Sequence, residues 1–369
     1  MKLFPFIIPH NKNCKETQKQ LLPIVMIYSS NYILTPPRKT VNYRIGDDAK
    51  GGTIFLYGNP NSSNIAIFCA GYPDDHVNGQ TFCSCLAKDN NMLVGLMCLP
   101  GYEDRQDKPW ESHKPQGYSF KEMVIALREA VKVLHAESTD KCAKLTGIFH
   151  DWGVYVGLTW ANMALEEEEK ILAPDDLILF DVLGPTHKKH IDLPGCRKSF
   201  ALESFQALYQ IILASSFVLY RYVSKSLAKM IFIAGLISMK LLHLSPSLPI
   251  DSEIIKRRNP PMNLHRMIYM AYPYFNFFKA KFLGRMEEDF SYFTLPEDLK
   301  KTPVLYLYGT EKRFMFHDEG ALEYLKREAR ENRSRSNGIA VKNAGHWLYV
   351  QQLQSCLEEI KFFVAARKL

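Results

Sequence analysis

Thr146-Gly147-Ile148-Phe149-His150-Asp151-Trp152-Gly153 is the stretch on which the reading of the whole chain turns. Lys144–Phe149 is a short, nearly continuous apolar run, the pattern of a strand buried on both faces. Val154–Leu165 follows almost without a loop and reads as a helix. A buried strand running directly into a helix makes a sharp turn at Asp151. Such a turn lifts one side chain above the sheet and aims the next backbone N–H, with the helix N-terminus, at an anion formed there. Small residues let strand and helix approach; Gly153 supplies one, and Gly147 lies further back. Asp151 is therefore the candidate nucleophile.

Outward from this turn the same rhythm repeats: apolar run, turn, helical pattern, as in a largely parallel sheet. Thr53–Tyr57, Ile65–Ala70, Met92–Leu99 and Asp176–Val182 read as strands, and Pro303–Tyr308 and Ile339–Lys342 resume the pattern late in the chain. Ser119-Phe-Lys-Glu122 is a capping-box signature ahead of Met123, Leu127, Val131 and Leu134 at helical spacing. The chain closes on a helical pattern over Val350–Ala366. From about Pro185 to Leu299 the pattern is helical and rich in Tyr, Phe and Met, so a βα core with an inserted helical cap is expected. Residues 1–184 would form the first part of the core, 185–299 the cap, and 300–369 the second part.

Composition narrows the function. A 369-residue chain with 47% hydrophobic and 12% aromatic residues builds a substantial core. The net charge of +7 comes without a basic run interleaved with aromatics, so no nucleic-acid partner is expected. The eight cysteines form no C-x-x-C or Cys/His cluster, which suits scattered thiols in a reducing compartment and argues against a metal site. Leu21–Tyr28 is too short and too late for a signal peptide. A cytoplasmic location follows as the expectation, with attachment to an intracellular membrane surface as the alternative. Ser204–Tyr220 and Met230–Met239 carry no charge, yet each falls short of the roughly 20 apolar residues needed to span a bilayer. They are expected to be cap helices lining an apolar pocket, with peripheral membrane contact through the cap as the second expectation.

His150-Asp151-Trp152-Gly153 resembles the elbow of the epoxide hydrolases and haloalkane dehalogenases, the branch of the α/β-hydrolase fold that attacks with aspartate. The resemblance implies a mostly parallel eight-stranded sheet flanked by helices, with an all-helical cap. Ala70-Gly71-Tyr72-Pro73 stands where that family carries His-Gly-aromatic-Pro, with Ala70 replacing the histidine. By resemblance Tyr72 and Trp152 supply the backbone N–H groups of an oxyanion hole. Asn343-Ala-Gly345-His346-Trp347 follows a late strand, and His346 falls at the family's catalytic histidine, with Trp347 beside it against the substrate. The acid is harder to assign. Its usual place in Tyr308-Gly-Thr-Glu311-Lys312-Arg313 falls on Arg313, which cannot serve. Asp181, at the end of the preceding core strand as in some dehalogenases, is the first choice, and Glu311 the second. Epoxide hydrolases of this kind hold the epoxide oxygen with two cap tyrosines; Tyr209 resembles the first and Tyr274 the second, with Tyr272 close by as a substrate contact.

The implied activity is hydrolysis of an apolar epoxide, with lipid-derived epoxides among the candidates, to a vicinal diol, through an Asp151 ester that His346-activated water cleaves. No metal or organic cofactor is needed, and the expected partner is an apolar small molecule. A haloalkane dehalogenase is the nearest alternative. A hydrolase-fold protein that binds a lipid-like ligand without turnover is another, motivated by Arg313 and by Gly101-Tyr-Glu-Asp-Arg105, which departs from the family's glycine-rich loop.

Overall fold

Lys39–Ile45 (β1) and Asp48–Gly58 (β2) pair antiparallel at one edge of an eight-stranded sheet. In the computed structural model, residues 36–103, 105, 109–166, 172–187, 200–241, 263–312, 315–317, 319–331 and 333–368 are described. All of these lie in one compact unit, Pro36–Leu369. Leu21–Tyr28, Arg313 and part of the loop beyond Gly101 fall outside them.

Inward from the edge come Asn64–Cys69 (β3), Leu93–Met97 (β4), Lys144–His150 (β5), Asp176–Phe180 (β6), Val304–Gly309 (β7) and Asn337–Val341 (β8). The spatial order is β1-β2-β4-β3-β5-β6-β7-β8, antiparallel through β1, β2 and β4 and parallel from β4 onward. The central strands explain themselves: β4 and β6 are buried at every residue, because parallel strands covered by helices on both faces need apolar side chains on both. At the edges the demand relaxes. β1 (Lys-Thr-Val-Asn-Tyr-Arg-Ile) buries only Tyr43 and Ile45.

The flanking helices are His76–Asp89 (α1), Phe120–Glu137 (α2) and Trp152–Glu166 (α3) in the first part of the chain. Asp75 caps α1, accepting from the Val77 N–H at 2.9 Å. The capping box expected at α2 is present in both halves: Ser119 Oγ accepts from Glu122 N–H, and Glu122 accepts from Ser119 N–H at 2.9 Å. α3 is apolar on every side, as befits a helix enclosed by sheet and neighbouring helices.

Between β6 and β7 the regular elements among the described residues are helices: Phe200–Tyr222 (α4), Lys225–Leu241 (α5), Leu264–Tyr269 (α6), Tyr272–Phe282 (α7) and Met286–Phe290 (α8). α4 and α5 pack as a hairpin, and α4 also contacts α6 and α7. The buried Arg266 of α6 pairs with Asp75 at 2.6 Å and donates to the Tyr102 carbonyl, tying this layer to the sheet. Glu319–Arg330 (α9), Leu348–Gln351 (α10) and Leu353–Ala365 (α11) complete the chain. The single terminal helix expected over Val350–Ala366 is thus two, broken at Gln352, whose extended φ of −128° ends α10.

No helix of the described residues is long and apolar enough to cross a membrane.

Candidate active site

Asp151 sits where β5 ends and α3 begins, with φ +53°. A non-glycine residue in the left-handed region is strained, and such strain recurs at residues whose side chain must be displayed. The glycines explain how the turn closes. A β-carbon on Gly153 would collide with the Cys69 carbonyl at the end of β3, and one on Gly71 with Trp152 N and the Asp151 carboxylate. Tyr72 N–H donates to Asp151 Oδ1 at 2.7 Å, and the Trp152 N–H also hydrogen-bonds the carboxylate. The two N–H groups expected to form an anion hole therefore face the Asp151 carboxyl group. Burial raises the Asp151 pKa above its ordinary value, and the positive potential of His346 and His150, together with the two N–H groups, opposes that rise.

His346 lies in the turn after β8. Its Nδ1 is 2.6 Å from Asp181 Oδ2 and its Nε2 is 3.7 Å from Asp151 Oδ2. Asp181 is held at the carboxyl end of β6 with φ +69°, its N–H donating to the Leu307 carbonyl of β7 at 2.8 Å. Its other oxygen pairs with Lys312, and both side chains are essentially inaccessible to solvent. Burial alone would raise the Asp181 pKa. The Lys312 charge and the His346 hydrogen bond outweigh it and bring the value down to about 2. Asp181 is thus a fixed anion beneath the imidazole.

Of the two candidate acids, Asp181 is the one at the imidazole. Glu311 is exposed; its N–H is tied to the Ala344 carbonyl at 2.8 Å, and its side chain accepts from Thr310. The Glu311 reading is therefore corrected, because His346 Nδ1 already has its carboxylate. Arg313, on which the usual acid position falls, lies outside the described residues. The adjacent Lys312 brings a cation, not an acid, to that place.

A second layer lies beneath. His150 Nε2 donates to the His346 carbonyl at 3.0 Å, and its Nδ1 lies 3.1 Å from Asp74 Oδ2. Asp74 also receives the Trp347 indole N–H at 2.7 Å, the Tyr349 hydroxyl at 3.0 Å and the Asn78 amide. Burial opposes ionisation of Asp74, but hydrogen bonding and charge from His150, with Asn78 and His346, hold its pKa below the usual carboxylate value. Asp74, His150 and Lys312 were not singled out from sequence. All three sit inside or beside stretches quoted from the sequence: Asp74 directly after Tyr72-Pro73, His150 directly before Asp151, and Lys312 between Glu311 and Arg313.

This network also corrects the reading of Trp347 as a substrate contact: it is buried, with its N–H committed to Asp74. Tyr272 is corrected likewise. Its hydroxyl donates to the Pro100 carbonyl at 2.9 Å, and its ring packs among Tyr102, Tyr118 and Tyr269.

Tyr209 and Tyr274 do converge. Tyr209 comes from α4 and Tyr274 from α7; their rings meet edge-to-face with centroids 6.0 Å apart. Tyr274 also stands edge-on to Tyr72 (5.4 Å) and Trp152 (5.1 Å). Burial raises both phenol pKa values, and the negative charge of Asp151 adds to the rise. Both hydroxyls are therefore protonated at neutral pH and lie within the field of Asp151.

His150, Asp181 and His346 offer potential metal-ligand atoms within 4.8 Å of one another. The separation of 2.6 Å between His346 Nδ1 and Asp181 is that of a hydrogen bond. Two ligands on one tetrahedral zinc ion would stand about 3.3 Å apart.

No family model matches the chain, and no curated protein matches it in sequence. Solved structures do. Potato (Solanum tuberosum) epoxide hydrolase I is 14% identical, with a TM-score of 0.51 over 89% of this chain and 100% of the other. An epoxide hydrolase from Vigna radiata is 14% identical, TM-score 0.52, over 89% and 98%. A loop variant of a haloalkane dehalogenase from Bradyrhizobium elkanii is 11% identical, TM-score 0.53, over 89% and 96%. The protein has the α/β-hydrolase fold. At these identities the likeness speaks for architecture, and the chemistry rests on the site itself.

Proposed function

We propose that the protein is an epoxide hydrolase that opens an apolar epoxide through a covalent Asp151 ester. One observation carries the reading: the Asp151 carboxylate, held at a strained elbow, has His346 Nε2 3.7 Å away and acts electrostatically on two protonated phenols, Tyr209 and Tyr274. A carboxylate, a histidine and a backbone anion hole suit ester formation and hydrolysis in general; the phenols favour an epoxide.

In the first step an Asp151 oxygen attacks an epoxide carbon and the C–O bond breaks. The leaving alkoxide is a far stronger base than phenolate, so Tyr209 or Tyr274 donates its proton. In the second, His346 Nε2 takes a proton from water, whose oxygen adds to the ester carbonyl. The resulting anion is stabilised by Tyr72 and Trp152 N–H. Collapse breaks the ester, the imidazolium protonates the departing alkoxide to give the diol, and the carboxylic-acid proton returns to the phenolate, restoring Asp151, His346 and the tyrosine. Asp181 stabilises the imidazolium meanwhile. No step requires a metal or organic cofactor.

The test is diol formation from a panel of aryl and fatty-acid epoxides, followed by chromatography. Wild-type protein should give diol. Tyr274→Phe should lower kcat by about 10²-fold, the scale of losing one proton donor, and Tyr209→Phe by less if the two phenols share the role. Gly71→Ala drives a β-carbon against Trp152 N and the Asp151 carboxylate, so it should lose at least about 10²-fold in turnover and also lower stability, read by urea denaturation. Halide release from a chlorinated alkane with no diol from any epoxide would replace this reading with dehalogenation. Apolar-ligand binding without any product would replace it with a binding protein.

A further inference from the structure

The α4–α5 hairpin is apolar on the side that should be polar. On α5, Met230 (62% exposed), Ile233 (43%), Ala234 and Ile237 (53%) fall at i, i+3, i+4 and i+7, one stripe of a helix, and all four face solvent. On α4, Leu208, Ile211 and Tyr222 recur along a second exposed stripe, and Val223 stands 66% exposed at the turn between the helices. The inner face is already filled by Leu213, Phe217, Ala228 and Phe232, so the outer stripes are not the core side of a misplaced helix. Contiguous exposed apolar surface marks an interaction site.

Charge indicates the partner. From Ser204 to Ile250 the sequence has no Asp or Glu, whereas Arg221 and Lys225 are exposed beside the turn and Lys229 follows one helical turn later. An apolar face bordered on the hairpin by Arg221, Lys225 and Lys229 suits an anionic bilayer surface, even with Glu111 near Tyr220, and short helices of this kind lie in the interface without crossing it.

We propose that the outer face of the α4–α5 hairpin docks on anionic phospholipid membranes. The docking stands independently of the reaction assigned to Asp151. If that reaction holds, the arrangement brings an apolar substrate from the bilayer to the site, because the helix that presents Leu208 and Ile211 outward carries Tyr209 inward toward Tyr274.

The test is co-sedimentation of the full chain with vesicles of phosphatidylcholine alone and of phosphatidylcholine mixed with phosphatidylserine. Binding to the mixed vesicles should be the stronger and should weaken as salt is raised. Reversing or neutralising each of Arg221 and Lys225 should weaken it about fivefold or more. The triple variant Met230→Ser, Ile233→Ser, Ile237→Ser should weaken it more than tenfold, on the order expected for three exposed apolar side chains that no longer insert. Circular dichroism should be unchanged, since none of the three contributes to the core. Equal binding to both vesicle types, or undiminished binding by the triple variant, would overturn the proposal. So would absence of vesicle binding, whether the stripe is then covered by another segment of the chain or by a second copy in a concentration-dependent dimer.

Discussion

Purified His346→Gln protein mixed with a reactive epoxide should gain the mass of that epoxide on Asp151 and keep it. The two chemical steps use different groups. Ester formation needs the Asp151 carboxylate, oriented by the Tyr72 N–H at 2.7 Å, and a phenolic proton. Ester hydrolysis needs a base to activate water, and His346 Nε2, 3.7 Å from Asp151 Oδ2, is the base placed there. Removing the base blocks only the second step, so the intermediate accumulates. Intact-protein mass spectrometry after incubation reads the adduct, and digestion places it on the peptide containing Asp151. Asp151→Ala should show neither adduct nor diol. A His346→Gln protein that stays unmodified while the wild type turns over would remove the ester from the mechanism.

Asp181→Asn should have the second largest effect, and on two quantities at once. An amide presents no charge to the imidazolium and can hold His346 in the wrong tautomer. The comparable change in the serine protease triad costs about 10⁴-fold, and a loss of that order is expected here in the hydrolytic step. The same substitution leaves the buried Lys312 cation unpaired, which should cost about 3–5 kcal/mol of stability. Urea denaturation measures the second effect and pre-steady-state diol release the first. The double variant Asp181→Asn, Lys312→Met removes both charges; it should regain most of the stability and none of the hydrolytic rate. Recovery of both together would mean that Asp181 acts only through folding.

The sign of the pH dependence follows from the same pair. The folded Asp181 pKa, about 2, lies below the unfolded value. Its contribution is therefore fully present above the unfolded carboxylate range and is lost as the pH falls through the folded value. Asp151 is shifted the other way by burial, so loss of its nucleophilic form on acidification should begin at a higher pH than for an exposed aspartate.

Much of this was legible in the sequence because it depends on local signals. The elbow is a strand, a turn and a helix in immediate succession, and seven of the eight strands are short apolar runs. β1 escaped because an edge strand buries only alternate residues; Lys39, Thr40, Asn42 and Arg44 dilute its apolar content. α1 escaped for a related reason: Gly79, Phe82, Cys83 and Leu86 have helical spacing, but Gly, Cys and polar residues blur it. The acid was undecidable locally, because Asp181 and His346 are 165 residues apart and only the pairing of β6 with β7 brings the first to its place. Lys312 went unnoticed because nothing local in the sequence shows that its side chain turns inward to Asp181. Tyr272 and Trp347 were misjudged because motif position says nothing of where a polar atom points; one hydroxyl and one indole N–H turned out to serve the scaffold.

The most direct measurement of the central claim is a single turnover in water enriched in oxygen-18, with enzyme in excess over epoxide. If Asp151 is the nucleophile, the oxygen added to the epoxide comes from its carboxylate, and water replaces that oxygen during ester hydrolysis. The diol should then be unlabelled, and the peptide containing Asp151 should carry the heavy isotope. Labelled diol with an unlabelled Asp151 would show that water attacks the epoxide directly, and the covalent account would be wrong.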